Sequence, residues 1–221
     1  MKPPRLIIFD LDGTLVDSSR DISGAMNAAL ARLGLGPRAP AELISYVGDG
    51  IPKLVERGLG AALERRPLDA ELAEALKIYR AEYDARLLDH TRPYPGIPEA
   101  LERIRSIPMA VVSNKPTDLS ERVLTGLNLR VYFSRVLGGD ATARRKPDPE
   151  PLLLVAAGLG VEPAAAAMVG DSCNDMRAGR AAGMATIGCA WGFGGAAGLA
   201  GCQPDQVLAS PLQIPLVLGI T

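Results

Sequence analysis

An apolar run, Leu6-Ile7-Ile8-Phe9, ends in Asp10-Leu11-Asp12-Gly13-Thr14. Two carboxylates so placed at a strand end can take part in chemistry if something balances their charge. Two more clusters lie downstream. Ser113-Asn114-Lys115 follows the run Met109 to Val112, and Gly170-Asp171-Ser172-Cys173-Asn174-Asp175 follows Ala166 to Val169. Between them stands Arg144-Arg145-Lys146-Pro147-Asp148-Pro149. Brought together, these segments supply four carboxylates, a hydroxyl and one or two ammonium groups. Like charges ~4 Å apart repel by roughly 4 kcal/mol at an effective dielectric of about 20. A hard divalent cation relieves this. Mg2+ suits the set, since it takes a few carboxylates, keeps waters and accepts a phosphate oxygen. A lysine beside the cation can hold a phosphate dianion. The residue chemistry therefore points to metal-assisted phosphoryl transfer.

Such clusters need a scaffold that gathers strand ends. Leu6 to Phe9 reads as a buried parallel strand. Helical spacing then dominates: Ile22 to Leu33, Ile51 to Leu63, and a long stretch from Leu72 to Leu87. No strand signal occurs between about Val16 and Arg92. After Pro93-Tyr94-Pro95-Gly96 the pattern alternates. Met109–Val112, Arg135–Gly138, Ala166–Val169 and Ala185–Cys189 read as strands, with Gln206–Leu208 as a further one. Helical patterns from Leu119, Leu152 and Asp175 separate them. The expected fold class is α/β: a doubly wound parallel sheet with an all-α segment inserted after the first strand. Its core would be residues 1–16 and 93–221, and the helical segment residues 17–92. Ligands of such sheets bind beyond the carboxyl ends of the strands, where all the polar clusters fall.

Composition narrows the choice. The 221 residues are 48% hydrophobic and 22% charged, with a net charge of −1. A sizeable core is affordable, and nothing suggests a nucleic-acid partner. A single histidine, His90, disposes of multi-histidine zinc sites. Three cysteines without CxxC spacing argue against a disulfide framework and fit a reducing cytoplasm. No signal peptide is legible at the N-terminus. Ala181 to Pro204 carries no charge, but seven glycines interrupt it, so it reads as a strand and a flexible loop rather than a membrane span.

The motifs resemble those of the haloacid-dehalogenase-like superfamily. Asp10 to Ser18 is similar to its first motif and Val111 to Lys115 to its second. Lys146 to Pro149 resembles the third, and Gly170 to Asp175 the fourth. Within the superfamily the chain is most similar to the phosphoglycolate phosphatases. Tyr46 to Gly50, Tyr94 to Gly96, Gly138 to Asp140 and Pro204 to Val207 support this. The resemblance implies that Asp10 attacks phosphorus and forms an aspartyl-phosphate. It implies that Asp12 protonates the leaving alcohol and then activates water. Mg2+ would be bound by Asp10, the main-chain carbonyl of Asp12, Asp171 and Asp175. Thr14, Ser113, the Asn114 main chain and Lys146 would hold the phosphoryl group. Asp12 favours a phosphatase or phosphomutase over a dehalogenase, and Thr14 favours the phosphatase.

Other residues leave alternatives open. Lys115 fits a surface lysine opening a helix as well as a substrate contact. Lys53 and Arg57 lie four apart on one helix face; they could read a substrate carboxylate or simply be solvated beside Glu56. Gly192-Phe193-Gly194-Gly195 lacks the dinucleotide spacing and reads as a structural loop. His90 reads as a surface or linker residue, and Cys173 as a residue without catalytic role. The expected function is Mg2+-dependent phosphomonoester hydrolysis, with 2-phosphoglycolate first among substrates. A sugar phosphate or pyrophosphate is the alternative. A phosphoacceptor or binding module fits the motif order less well. The expected partner is a small phosphorylated metabolite, not nucleic acid or membrane, and the chain would be a monomer or homodimer.

Overall fold

The computed structural model describes residues 3–220. The chain begins with β1 (Leu6–Phe9) and a two-residue strand, β2 (Val16–Asp17). Four helices follow: α1 (Ser19–Arg32), α2 (Pro40–Ile44), α3 (Ile51–Leu63) and α4 (Asp69–Arg86). Next come β3 (Arg92–Pro93), α5 (Ile97–Arg103), β4 (Met109–Val112), α6 (Thr117–Gly126), β5 (Arg135–Leu137) and α7 (Glu150–Gly158). The chain continues through β6 (Ala166–Gly170), α8 (Cys173–Ala181), β7 (Ala185–Cys189), α9 (Gly195–Leu199), β8 (Gln206–Leu208) and α10 (Gln213–Val217). These elements form two compact units: residues up to 17 together with those from 92 on, and residues 18–91.

The first unit is built on a six-stranded sheet in the order β5-β4-β1-β6-β7-β8. Every pairing within it is parallel. β1 lies between β4 and β6, with Phe9 level with Val111 on one side and Val169 on the other. Asp10, Ser113 and Asp171, the residues that directly follow β1, β4 and β6, therefore emerge close together. The sheet is covered on both faces, which is why its strands read as unbroken apolar runs. Leu6 and Ile8 pack with Leu152, Val155 and Ala178 on one face. Phe9 points to the other, edge-on to Phe133 with ring centroids 6.1 Å apart.

The second unit is all helical. Tyr79 and Tyr83, one turn apart on α4, stack at 5.6 Å and are buried. Asp21 ties its two ends together. Its buried carboxylate accepts the main-chain N–H of His90 at 3.0 Å and both the N–H and hydroxyl of Thr91 at 2.7 Å.

Several elements carry too little periodic signal to read from sequence. α2, α9 and α10 have five residues each, and α5 has seven. The β2–β3 ladder joins two residues to two, so Asp17 and Arg92 fall with the sheet unit. The expected flexible loop after β7 contains α9, fixed through Leu199, which packs with Met176 and Cys202.

Candidate active site

The carboxyl ends of β1, β4 and β6 create the site. After β1 the chain turns back on itself: the Gly13 N–H donates to the Val16 carbonyl at 2.9 Å. Gly13 sits at φ +86, where a side chain would be strained. A Cβ there would also lie 2.3 Å from Asp171 Oδ2. Glycine is thus required both by the turn and by the approach of the β6 carboxylate.

Asp171 and Asp175 follow β6. Ser172 and Asp175 form a reciprocal cap on α8. Asp175 Oδ2 accepts the Ser172 N–H at 3.1 Å and its hydroxyl at 2.6 Å. That cap fixes the Asp175 side chain, which is 1% exposed, with Oδ1 facing Lys146 Nζ at 2.7 Å. Asp171 is held from two other directions. Its Oδ1 accepts the Thr14 hydroxyl at 3.3 Å, and its Oδ2 accepts the Phe193 main-chain N–H at 2.9 Å.

Lys146 is buried at the centre. Its Nζ also donates to the Val112 carbonyl at 2.6 Å and lies 2.8 Å from Asp10 Oδ1. The loop that carries it is anchored by the Asn114 side-chain amide, which donates to the Lys146 carbonyl at 2.8 Å. Burial works against the lysine's charge, but Asp10 and Asp175 outweigh it and hold its pKa above the ordinary lysine value. For Asp10, burial dominates and pushes the carboxyl up to about 6; Lys146 opposes this and Asp175 adds to it. Asp171 is raised by burial first, then by the charges of Asp175 and Asp10. These carboxylates are crowded beyond what one ammonium can neutralise.

That crowding fits a cation. Oxygens of Asp10, Asp171 and Asp175 all lie within 4.8 Å of one another. Asp10 Oδ1 is a buried acceptor with no aligned hydrogen-bond donor. An all-oxygen set of three crowded carboxylates suits Mg2+ rather than a softer metal.

Asp12 stands slightly apart from this group. Both its carboxylate oxygens meet Lys115 Nζ, at 2.9 and 3.0 Å. Ser113 is buried beside them, its Oγ accepting the Lys115 N–H at 3.3 Å.

The haloacid dehalogenase-like hydrolase family model matches residues 7–189. A phosphoglycolate phosphatase of Neisseria meningitidis is 42% identical over 211 residues, spanning 92% of this chain and 89% of its own. One of Aquifex aeolicus is 40% identical over 191 residues, 86% of each chain. The fold is similar to a crystal structure described as a predicted phosphoglycolate phosphatase from Haemophilus somnus. Its TM-score is 0.93 at 31% identity, covering 98% of this chain and 99% of that one.

The chain belongs to the haloacid dehalogenase-like hydrolases.

The structure brings together most of the residues expected of such a hydrolase, and alters the part of some. Asp10, Asp12, Ser113, Asn114, Lys146, Asp171 and Asp175 share one end of the sheet unit. Thr14, expected to touch phosphate, is fully buried, and its hydroxyl is spent on Asp171. Lys115 is not the surface lysine that one reading allowed, since its side chain is only 4% exposed. Lys53 and Arg57 lie on α3 in the helical unit. Both are exposed and paired within it, Lys53 with Glu56 and Arg57 with Asp49, each at 2.6 Å.

Two features escaped the sequence reading. The loop Gly192 to Gly195 is more than a connection, for it supplies the Phe193 N–H to Asp171. Trp191 Nε1 also donates to the Thr14 carbonyl at 3.0 Å. Only the absence of charge there hinted at burial. The reading of the cysteines against disulfide bonding is corrected as well. Cys173, at the start of α8, is bonded to Cys202, while Cys189 is free and buried. Sequence spacing failed here because folding, not proximity along the chain, brings the two cysteines together. Among the described residues no helix is long and apolar enough to cross a membrane.

Proposed function

We propose that this phosphoric monoester hydrolase is a Mg2+-dependent phosphatase of 2-phosphoglycolate that works through a phosphorylated Asp10. The observation that carries the mechanism is the convergence of Asp10, Asp171 and Asp175, two of which, Asp10 and Asp175, also meet the buried Lys146. The substrate is inferred from the names of relatives that match nearly the whole chain.

Asp10, Asp171, Asp175 and the main-chain carbonyl of Asp12 would hold the cation, which supplies charge neutralisation for the phosphoryl oxygens. The remaining chemistry belongs to side chains. Asp10 attacks phosphorus, and the bond to the ester oxygen breaks. Asp12 gives its proton to that oxygen as the alcohol leaves. Asp12 then takes a proton from water as the water attacks the aspartyl-phosphate, freeing inorganic phosphate and Asp10. Lys146 keeps Asp10 anionic and, with Ser113 and the Asn114 main chain, steadies the phosphoryl group. Residues 18–91 would serve as a cap that admits substrate and then excludes water. A cytoplasmic setting and a small phosphorylated metabolite as partner belong to the same reading.

The test is a kinetic profile across small phosphates with and without Mg2+. Metal-dependent release of phosphate, fastest from 2-phosphoglycolate, is expected. A sugar phosphate or pyrophosphate that ranks first would replace that substrate. Retention of phosphate without turnover would point to a phosphoacceptor domain instead.

A further inference from the structure

Lys115 and Lys146 are the two buried basic residues among those described. Burying an ammonium is costly unless it is paired, so each needs a reason. Lys146 has one in Asp10 and Asp175. Lys115 is held over a different carboxylate. Its Nζ spans both oxygens of Asp12, and its main chain is pinned on either side. The N–H donates to Ser113 Oγ, and the carbonyl accepts the Gly139 N–H at 2.9 Å. The ammonium is therefore fixed in place rather than swinging on a free stem.

Asp12 must come within about 2.6–3.2 Å of the ester oxygen to protonate it. That requirement brings the carbon next to the ester oxygen, and its substituent, beside Lys115 Nζ. We propose that Lys115 receives an anionic group on the leaving alcohol, one carbon from the ester oxygen. A carboxylate fits that place. The inference rests on the phosphatase reading above and names its substrate class as phosphate esters of short 2-hydroxy acids. The two buried lysines then divide the substrate: Lys146 serves the phosphoryl end and Lys115 the carboxylate end. An ammonium concentrates its charge in a compact head, so Asp12 and a second anion can share it. Lys53 and Arg57 are exposed and already matched to acids of their own unit.

The test compares 2-phosphoglycolate with 2-hydroxyethyl phosphate, which carries a neutral hydroxyl in place of the carboxylate. The ratio of their kcat/KM values is measured for the wild type and for Lys115→Met, with Mg2+. Partial misfolding lowers both values equally and cancels from the ratio. The wild type should prefer the carboxylate. In Lys115→Met that preference should fall roughly 10–100-fold, the range of a hydrogen bond to a charged group. Inhibition of 2-hydroxyethyl phosphate hydrolysis by free glycolate should weaken by a similar factor. If the ratio and the glycolate inhibition both stay within about threefold of wild type, Lys115 merely orients Asp12 and the proposal is overturned. A wild type inactive on every phosphate, or an active Asp10→Asn, strikes the phosphatase reading itself.

Discussion

The carboxylate of Asp171 is held by the main-chain N–H of Phe193, 22 residues further along the chain and 2.9 Å away. The neighbouring Gly192 makes this possible. A Cβ at that position would lie 2.2 Å from the Asp171 Cβ. Gly192→Ala must push either the loop or the carboxylate aside. Groups that orient metal ligands typically affect affinity by roughly 10–100-fold. We expect Gly192→Ala to raise the Mg2+ concentration for half-maximal activity by such a factor while the fold survives. A Mg2+ titration of activity, with circular dichroism as the control, checks this; an unchanged midpoint would contradict it.

The raised carboxyl of Asp10 makes the metal-free protein sensitive to pH. Its pKa moves from 3.8 to about 6, chiefly through burial. A raised folded-state pKa means that the folded state binds the extra proton. The contribution is full below about pH 4 and is lost as pH rises through about 6, with a span of about 3 kcal/mol at most. Relative to Asp10→Asn, the metal-free wild type should therefore lose stability across that window. Mg2+ should diminish the loss, since it binds the ionised cluster. Urea unfolding at several pH values, with and without the metal, measures both effects.

Removing Lys146 leaves Asp10 and Asp175 without their ammonium. Breaking a buried ion pair on one side costs about 3–5 kcal/mol. Lys146→Met should lose that much stability in metal-free buffer, along with its activity. Lys146→Arg should restore charge but little turnover, because a planar guanidinium does not fit where a compact ammonium meets Val112, Asp10 and Asp175. Denaturant unfolding and steady-state rates separate the two effects.

Asp21 gives a prediction away from the chemistry. Its carboxylate satisfies three donors on His90 and Thr91. Asp21→Ala strands the two buried Thr91 donors and the partly buried His90 N–H and should cost about 3 kcal/mol. Chemical denaturation monitored by circular dichroism would show the loss directly.

The bond between Cys173 and Cys202 closes a loop of 29 residues. Loop-closure entropy assigns such a link roughly 3–4 kcal/mol. Cys202→Ser should lower stability by up to that amount, and a dithiol reductant should do the same to the wild type. Coincident unfolding curves for oxidised and reduced protein would count against the link.

Much of the site was legible before folding was considered. Asp10, Asp12, Ser113, Lys146, Asp171 and Asp175 declare themselves because each ends an apolar run or sits in a short motif. The parallel sheet follows from the same runs, since strands covered on both faces have no polar alternation. The short elements did not register, for five residues hold too few turns to show a period. The partnerships were hidden for another reason. Lys115 reaches Asp12 across 103 residues, and Thr14 reaches Asp171 across 157. Phe193 contributes a main-chain N–H, which every residue but proline possesses, so no side chain marked it.

The sequence by itself determined which chemical groups the protein could bring to a phosphate, because residue type and local spacing encode acids, strands and helices. Only the tertiary structure decided how those groups divide the work. It set Lys146 between Asp10 and Asp175, Lys115 over Asp12, and Thr14 behind Asp171. The reason is physical: burial and charge pairing depend on distances between residues far apart in the chain, and those distances exist only once the sheet has assembled.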